Sequence, residues 1–320
     1  MEWKEEVFSL ISGKTHEDID PAKARLIIIA NLPRHIYKYR SVSQHSIENL
    51  VNGTVWMSSP SEVNDPFDTV QKINPKDSMA FLIKKDFFSN PNFQPVIELL
   101  GVEQCKEALE SDEPMKEIVK KSVEADTSIK YESKSEIIDA FEYATQKQYE
   151  EFNKWFNERI RDGVKIGSFS EVYDEILMWS HYGKDHSGFC IDWDLSIPQN
   201  KLDIGRFLFP VYYVDNIPDT TIYFTPDPEG KELNNLTATI SSIQKSKKWA
   251  YEKEWRIVFP IGPNTKSYNF QMPKPSYIYL GAKIEEKNEI NICSIAKEKR
   301  IPVRKMKLQK DRFELGYDEI

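Results

Sequence analysis

The chain has 320 residues, 40% hydrophobic, 12% aromatic and 29% charged, too apolar for intrinsic disorder and long enough to bury a core without disulfide or metal staples. With 43 basic against 51 acidic side chains its net charge is −8, which excludes a general basic coating, so any contact with nucleic acid must come from a local patch. Cys105, Cys190 and Cys293 are odd in number, far apart and outside any C-x-x-C spacing, which excludes a structural zinc site and an oxidised secreted scaffold and leaves each as a small core residue.

The opening MEWKEEVFSL has no basic stretch ahead of an apolar one, and the longest aliphatic run is LIIIA at 26–30. The expectation is no signal peptide, no membrane span and a cytoplasmic location. Residues 21–68 alternate a short helical stretch, an extended IYKYR at 36–40, a helix near 43–52 and the strand-like TVWMSS at 54–59. Ser43 with Ser46 nearby caps that helix, and Asn52-Gly53 ends it where a left-handed residue is needed. From 74 to 163 the period becomes helical, interrupted at Pro91, Pro95, Gly101 and Pro114, and reads as a helical insertion within a single domain spanning 1–320. Ile137, Phe141, Tyr149, Phe152, Phe156 and Ile160 lie on one stripe of a long helix, a pattern that predicts core packing.

From 164 onward strand text returns: VKIGSFS, GFCIDWD, FLFPVYYV, EWRIVFP, SYNFQM, SYIYLGA and PVRKMKL, with helices expected near 174–182, 231–247 and 286–299. There is no strict βαβ rhythm and no internal repeat, so the fold class predicted is α+β with a mixed, largely antiparallel sheet. Nucleotide-binding G-x-G-x-x-G, the phosphate loop, the G-x-S-x-G elbow and H-E-x-x-H are all missing from the sequence, which removes the corresponding enzyme classes.

Five clusters outside the helical zone carry chemistry. They are HIYKYR with Tyr37 and Arg40, SPSEVNDPFD with Asn64, Asp65 and Asp68, and IGSFSE with Ser168 and Ser170 on one strand face. The others are MWSHYGKDHSGFCIDWD with His181, Tyr182, Asp185 and His186, and KKWAYEKEWRIVF with Glu252, Glu254 and Arg256.

Taken in order, YKYR, NDPFD, SFSE, ILMWSHYG followed by HSGFCI, and WAYEKEWR resemble a bacterial and phage family, domain of unknown function 2971, over 36–68 and 166–259. That resemblance implies kinship without an activity. The order of an Arg, a Ser-x-Ser and a Glu-x-Glu is also similar to that of the arginine-serine-glutamate ADP-ribosyltransferases, which implies a split mixed sheet and NAD as the substrate. On that pattern Glu254 stabilises an oxocarbenium-like ribose, Glu252 deprotonates the acceptor, Arg40 grips a pyrophosphate or ribose, and Ser168 or Ser170 braces the site. Tyr37, Asn64, Asp68, His181, Tyr182 and His186 complete the expected nucleotide-binding wall. Catalysis is thus expected from Glu254, Glu252, Arg40 and Ser170.

Each residue has a plainer reading beside this one. Arg40 can pair with a carboxylate of NDPFD, the serines can cap backbone, and Asn64-Asp65-Pro66 is strong turn text. Two rival functions remain open. His181 and His186 with Asp65 or Asp68 and Glu254 suggest a metal-dependent nuclease. The aromatic SHYG/HSGF loop at 180–189 with the basic run 245–256, five Lys/Arg against two acids, suggests a non-catalytic nucleotide or nucleic-acid binding module. The tail at 297–312, with eight Lys/Arg against two acids, reads as a solvated face. The expected partners are a nucleotide-type small molecule and a protein or nucleic-acid acceptor, and kinship with the family implies a phage-defence or toxin setting.

Overall fold

A computed structural model describes residues 2–320. Among these lie strands β1 (His35–Arg40), β2 (Thr54–Met57), β3 (Val164–Ser170), β4 (Phe189–Asp194), β5 (Leu208–Pro210), β6 (Tyr212–Val214), β7 (Gln244–Ser246), β8 (Glu254–Pro260), β9 (Tyr268–Gln271), β10 (Tyr277–Leu280), β11 (Val303–Leu308) and β12 (Leu315–Glu319). Eight of them form one sheet in the order β12-β11-β10-β4-β1-β3-β8-β5. Every junction is antiparallel except β10–β11, so the fold is α+β with a mixed, largely antiparallel sheet. The sheet is buried on both faces because its strands alternate two apolar sets. Ile36, Ile191, Trp193 and Ile278 pack into the main core, while Tyr37, Tyr39, Cys190 and Tyr279 pack into a second cluster on the opposite side.

The sheet opens at its middle. Strand β1 pairs with β4 along its whole length, His35↔Asp194 through Arg40↔Phe189, but meets β3 at one position, Tyr37↔Ser170. Strand β3 in turn pairs fully with β8, from Val164↔Pro260 to Ser170↔Glu254. Two ribbons are therefore hinged at a single pair, and past it the Lys38 ammonium reaches the Ser168 carbonyl at 2.8 Å. The helix Gln44–Asn52 follows β1 with the predicted ends: Ser43 accepts from the Ser46 N–H, and Gly53 takes φ of 65°, a value a Cβ disfavours.

Five α-helices occupy Pro75–Asp86, Gln94–Leu100, Val102–Glu110, Pro114–Ala125 and Tyr131–Gly163, with a small core of their own around Phe87, Cys105 and Ile118. The expected burial of the long helix's stripe is not what the structure shows. Ile137 is 40% and Phe152 37% exposed, and Phe141, Tyr149, Phe156 and Ile160 are only half-buried. The reason is that this helix docks through polar side chains. Asn157 accepts from Gln71 N–H and donates to its carbonyl, both at 2.8 Å. Asn153 does the same for Ile73 at 2.9 and 2.8 Å, so two asparagines substitute for a missing strand partner. At the helix end the buried Lys165 ammonium binds the Asp162 carbonyl at 2.7 Å and Ser59 Oγ at 2.9 Å.

Two further expectations are corrected. The text FLFPVYYV is two strands: at Pro210-Val211 the chain leaves the main sheet, where Val211 N–H bonds Glu254 O, and β6 pairs in parallel with β7. The helix expected over 231–247 shrinks to Thr237–Ser242, because Asn234 accepts from Leu236 N–H while its amide holds the carbonyls of Ile11 and Gly13, tying the chain ahead of the helix to the N-terminal segment. No helix among the described residues is long and apolar enough to cross a membrane.

Replacing Asn153 and Asn157 together by leucine leaves the buried Gln71 and Ile73 peptide groups without partners and should cost about 2–4 kcal/mol. Urea denaturation checks this. The exposed Glu150→Leu should move the midpoint by less than about 0.5 kcal/mol equivalent, and an equal effect of the two changes would contradict the docking role.

Candidate functional site

Cross-strand register puts Ser170 opposite Glu254 and Ser168 opposite Arg256, so these four side chains share the face that looks into the opening between β1 and β3. Arg256 is fully enclosed. Its guanidinium grips both Asp68 oxygens at 2.8 and 2.6 Å, both Glu254 oxygens at 2.8 and 3.1 Å, and the Ser242 carbonyl at 2.7 Å. The buried Lys245 extends the cluster, donating to Glu254 at 3.0 Å and to Glu252 at 2.5 Å. Tyr182 closes it with a hydroxyl donated to Glu252 at 2.7 Å.

Three carboxylates thus face two cations, and one negative charge is left over in an enclosed place. The molecule resolves this asymmetrically. Burial opposes ionisation of Glu254, but Arg256 and Lys245 outweigh it and hold that carboxyl well below the usual range. Burial and the neighbouring Glu254 charge push Glu252 up to about 7, against the pull of Lys245.

The opposite wall carries the reverse charge. Lys38 and Arg40, two apart on β1, point to one side of the strand. The Arg40 guanidinium makes no hydrogen bond or ion pair among the described residues, and burial lowers its pKa. Burial, then the nearby Arg40 charge, brings the Lys38 ammonium down to about 7 despite the attraction of Glu254. Between the walls lies a cavity of about 330 Å³ bordered by Lys38, Arg40, Ser168, His181, Glu252 and Glu254.

Most of the expected residues meet here. Asn64 approaches the Tyr182 hydroxyl at 3.4 Å, and Asp65 forms the anticipated turn by accepting from Phe67 N–H. Asp68 pairs with Arg256 and not with Arg40. Ser170 is occupied with backbone, donating to Glu252 O at 2.7 Å and accepting from Val172 N–H at 3.1 Å, so its hydroxyl braces the chain that presents Glu252.

Tyr37, paired with Ser170, borders the cavity while its ring packs against Tyr173 and Tyr279. One residue departs from the expected wall. His186 sits on the far side of its loop, with Nε2 3.3 Å from Ser180 Oγ and its ring parallel to Trp179. Lys184, Asp185 and His186 take φ values of 48°, 54° and 69°, and a Cβ on Gly188 would lie 2.2 Å from Arg40 O, so the loop folds tightly against the end of β1 and turns the imidazole inward. The metal set expected from His181 and His186 with Asp65 or Asp68 and Glu254 does not assemble: among the described residues no group of three or more His, Cys, Asp or Glu side chains is placed to hold a metal ion. Sequence reasoning overlooked Lys38 as a site residue and carried Lys245 only within the basic run 245–256. The i, i+2 spacing of Lys38 and Arg40 in strand text was the available signal for the first; the pairing of the second with Glu252 and Glu254 was hidden by assigning its segment to a helix.

Residues 178–257 match the family model described as protein of unknown function (DUF2971). This is the family that the ordered blocks resemble. The match runs from Met178 through the Glu252, Glu254 and Arg256 segment, while Arg40, Asn64–Asp68 and the Ser-x-Ser strand lie outside it. No curated protein and no solved structure matches the chain.

Because Glu252 titrates at about 7 in the folded chain against an ordinary 4.5, the folded state binds the extra proton between those values. Stability contributed by this group is therefore lost as pH rises through that window. Asp192, raised to about 6 by burial, acts in the same direction, so the difference between parent and Glu252→Gln isolates Glu252. Urea midpoints at pH 5 and pH 7.5 should fall less in Glu252→Gln than in the parent; parallel slopes would contradict the assignment.

Proposed function

We propose that the cleft cleaves the bond between nicotinamide and ribose in NAD, as an ADP-ribosyltransferase or NAD glycohydrolase. The observation that carries this reading is the pairing of an unpartnered, largely enclosed Arg40 on one wall with the Glu252–Glu254 pair on the other. Such a site suits a ligand that is anionic at one end and becomes cationic at the other.

Arg40, with Lys38 beside it, attracts the pyrophosphate; the planar fork matches paired phosphate oxygens. Across the cleft, the five-charge cluster of Asp68, Arg256, Glu254, Lys245 and Glu252 carries a net charge of −1 when Glu252 is ionised. Its field favours the positive charge that develops on the ribose as the C1′–N bond breaks and the electron pair leaves with nicotinamide. Glu252, poised near neutrality, takes the proton of the incoming water or acceptor. Tyr182 and the Ser170 brace keep its carboxylate aimed, which preserves the geometry such a step needs.

The proposal includes a cytoplasmic bacterial or phage setting as a defence or toxin effector, which rests on the family resemblance alone. Incubation with NAD followed by chromatographic measurement of nicotinamide tests the chemistry. The parent should release nicotinamide, Glu254→Gln should lower kcat by about 100-fold or more, and Arg40→Ala should act mainly by raising KM. Nicotinamide no greater than the buffer blank, or full activity in Glu254→Gln and Glu252→Gln alike, would overturn it, and NAD binding without release would favour a binding module.

A further inference from the structure

Beside the cleft, on the side of Glu252, three aromatic rings stand together. The centroids of His181 and Trp249 are 6.2 Å apart, those of His181 and Tyr251 6.4 Å, and those of Trp249 and Tyr251 6.1 Å. His181 also borders the cleft, and Tyr251 immediately precedes Glu252, so the rings form its lip. His181 is exposed and the other two are half-buried. Neither the Trp249 indole N–H nor the Tyr251 hydroxyl has a hydrogen-bond partner among the described residues, so packing does not account for these polar ends.

The surroundings of the lip are basic although the chain as a whole carries −8. Lys247, Lys248 and Lys253 are exposed. Lys247 pairs with Asp215, but Lys248 and Lys253 have no acidic partner among the described residues, and Lys253 sits at φ of 43° on the turn that ends the Lys247–Glu252 segment. Lys245 lies 5.0 Å from the Trp249 ring centroid. The opposing charges near the rings are Glu252, which is held by Lys245, and, more weakly, Glu175; both act on the Tyr251 hydroxyl. Aromatic faces interleaved with unpaired lysines are the combination that holds a flexible polyanion by stacking and by release of its counterions.

We propose that this lip binds single-stranded nucleic acid and presents one of its bases to the cleft as acceptor of the ribosyl group. The acceptor step rests on the NAD-cleaving reading. In it a base nitrogen forms the new bond to C1′ as the bond to nicotinamide breaks with its electron pair leaving on nicotinamide, and the proton lost by the base nitrogen passes to the Glu252 carboxylate. A base can reach the cleft walls only when it is unstacked and unpaired, which selects single strands over duplex.

Fluorescence anisotropy with a labelled oligonucleotide of about ten nucleotides, single-stranded or annealed to its complement, tests the strand site without any turnover. The single strand should bind more tightly than the duplex and lose affinity as salt rises. Trp249→Ala combined with Tyr251→Ala should weaken it by about tenfold or more. Lys248→Glu combined with Lys253→Glu should flatten the salt dependence and leave nicotinamide release into water unchanged. Absence of strand binding at low salt, equal affinity for duplex, or indifference to both double variants would overturn the strand site. Transfer of label from NAD to protein and not to the oligonucleotide would overturn the acceptor step. If the strand binds as described and NAD is untouched, the strand site stands while the acceptor step and the NAD reading fall.

Discussion

The enclosed guanidinium of Arg256 is the constraint around which the rest is arranged. An unpaired cation there would be strongly destabilising, so the charge has to be met by carboxylates with good geometry. Asp68 and Glu254 supply that geometry from positions far apart in sequence, and Ser242 adds a carbonyl from a third segment. Satisfying one side chain therefore draws the 59–68 turn, the end of the Thr237–Ser242 helix and β8 to one point. Such a pairing is weak evidence of stability for its own sake, since an apolar cluster can fill the same space at lower desolvation cost. Its consequence is specificity of arrangement: Glu252, two residues before Glu254, is delivered to the edge of the sheet opening with Lys245 and Tyr182 as its partners.

The opening itself comes from incomplete pairing. With a single register pair between β1 and β3, the two ribbons cannot close over the groove, and the unpaired end of β1 presents Lys38 and Arg40 to it. Burial disfavours both charges, and no carboxylate among the described residues answers Arg40. An anion entering the cleft would relieve that imbalance, which is the physical sense in which the folded chain is prepared for a ligand. The opposing wall, already matched internally except for the one proton shared out to Glu252, is prepared for a ligand that gains positive charge.

Much of this was legible in the residues and some was not. The alternation in IYKYR, GFCIDWD and EWRIVFP announced strands, and Ser43 and Gly53 announced the ends of the helix between β1 and β2, because each signal is local. Placing Glu252, Glu254 and Arg40 about one cleft rested on the order of blocks, and the structure brings those three together. What failed was non-local. The stripe from Ile137 to Ile160 has core periodicity, yet the helix docks through Asn153 and Asn157 onto the backbone of Gln71 and Ile73, a contact no periodicity encodes. The partner of Arg256 is Asp68, 188 residues away, and His186, close in sequence to Tyr182, is sent away from the cleft by the left-handed turn at 184–186.

The most direct test is a crystal structure with ADP-ribose bound, because it reads the placement of phosphate and ribose without depending on turnover. The account predicts the pyrophosphate on the Arg40 guanidinium and the anomeric carbon of the terminal ribose facing Glu252 and Glu254 across the gap between β1 and β3. ADP-ribose lodged elsewhere with Arg40 left uncontacted, or a cleft closed to it at saturating concentration, would contradict it.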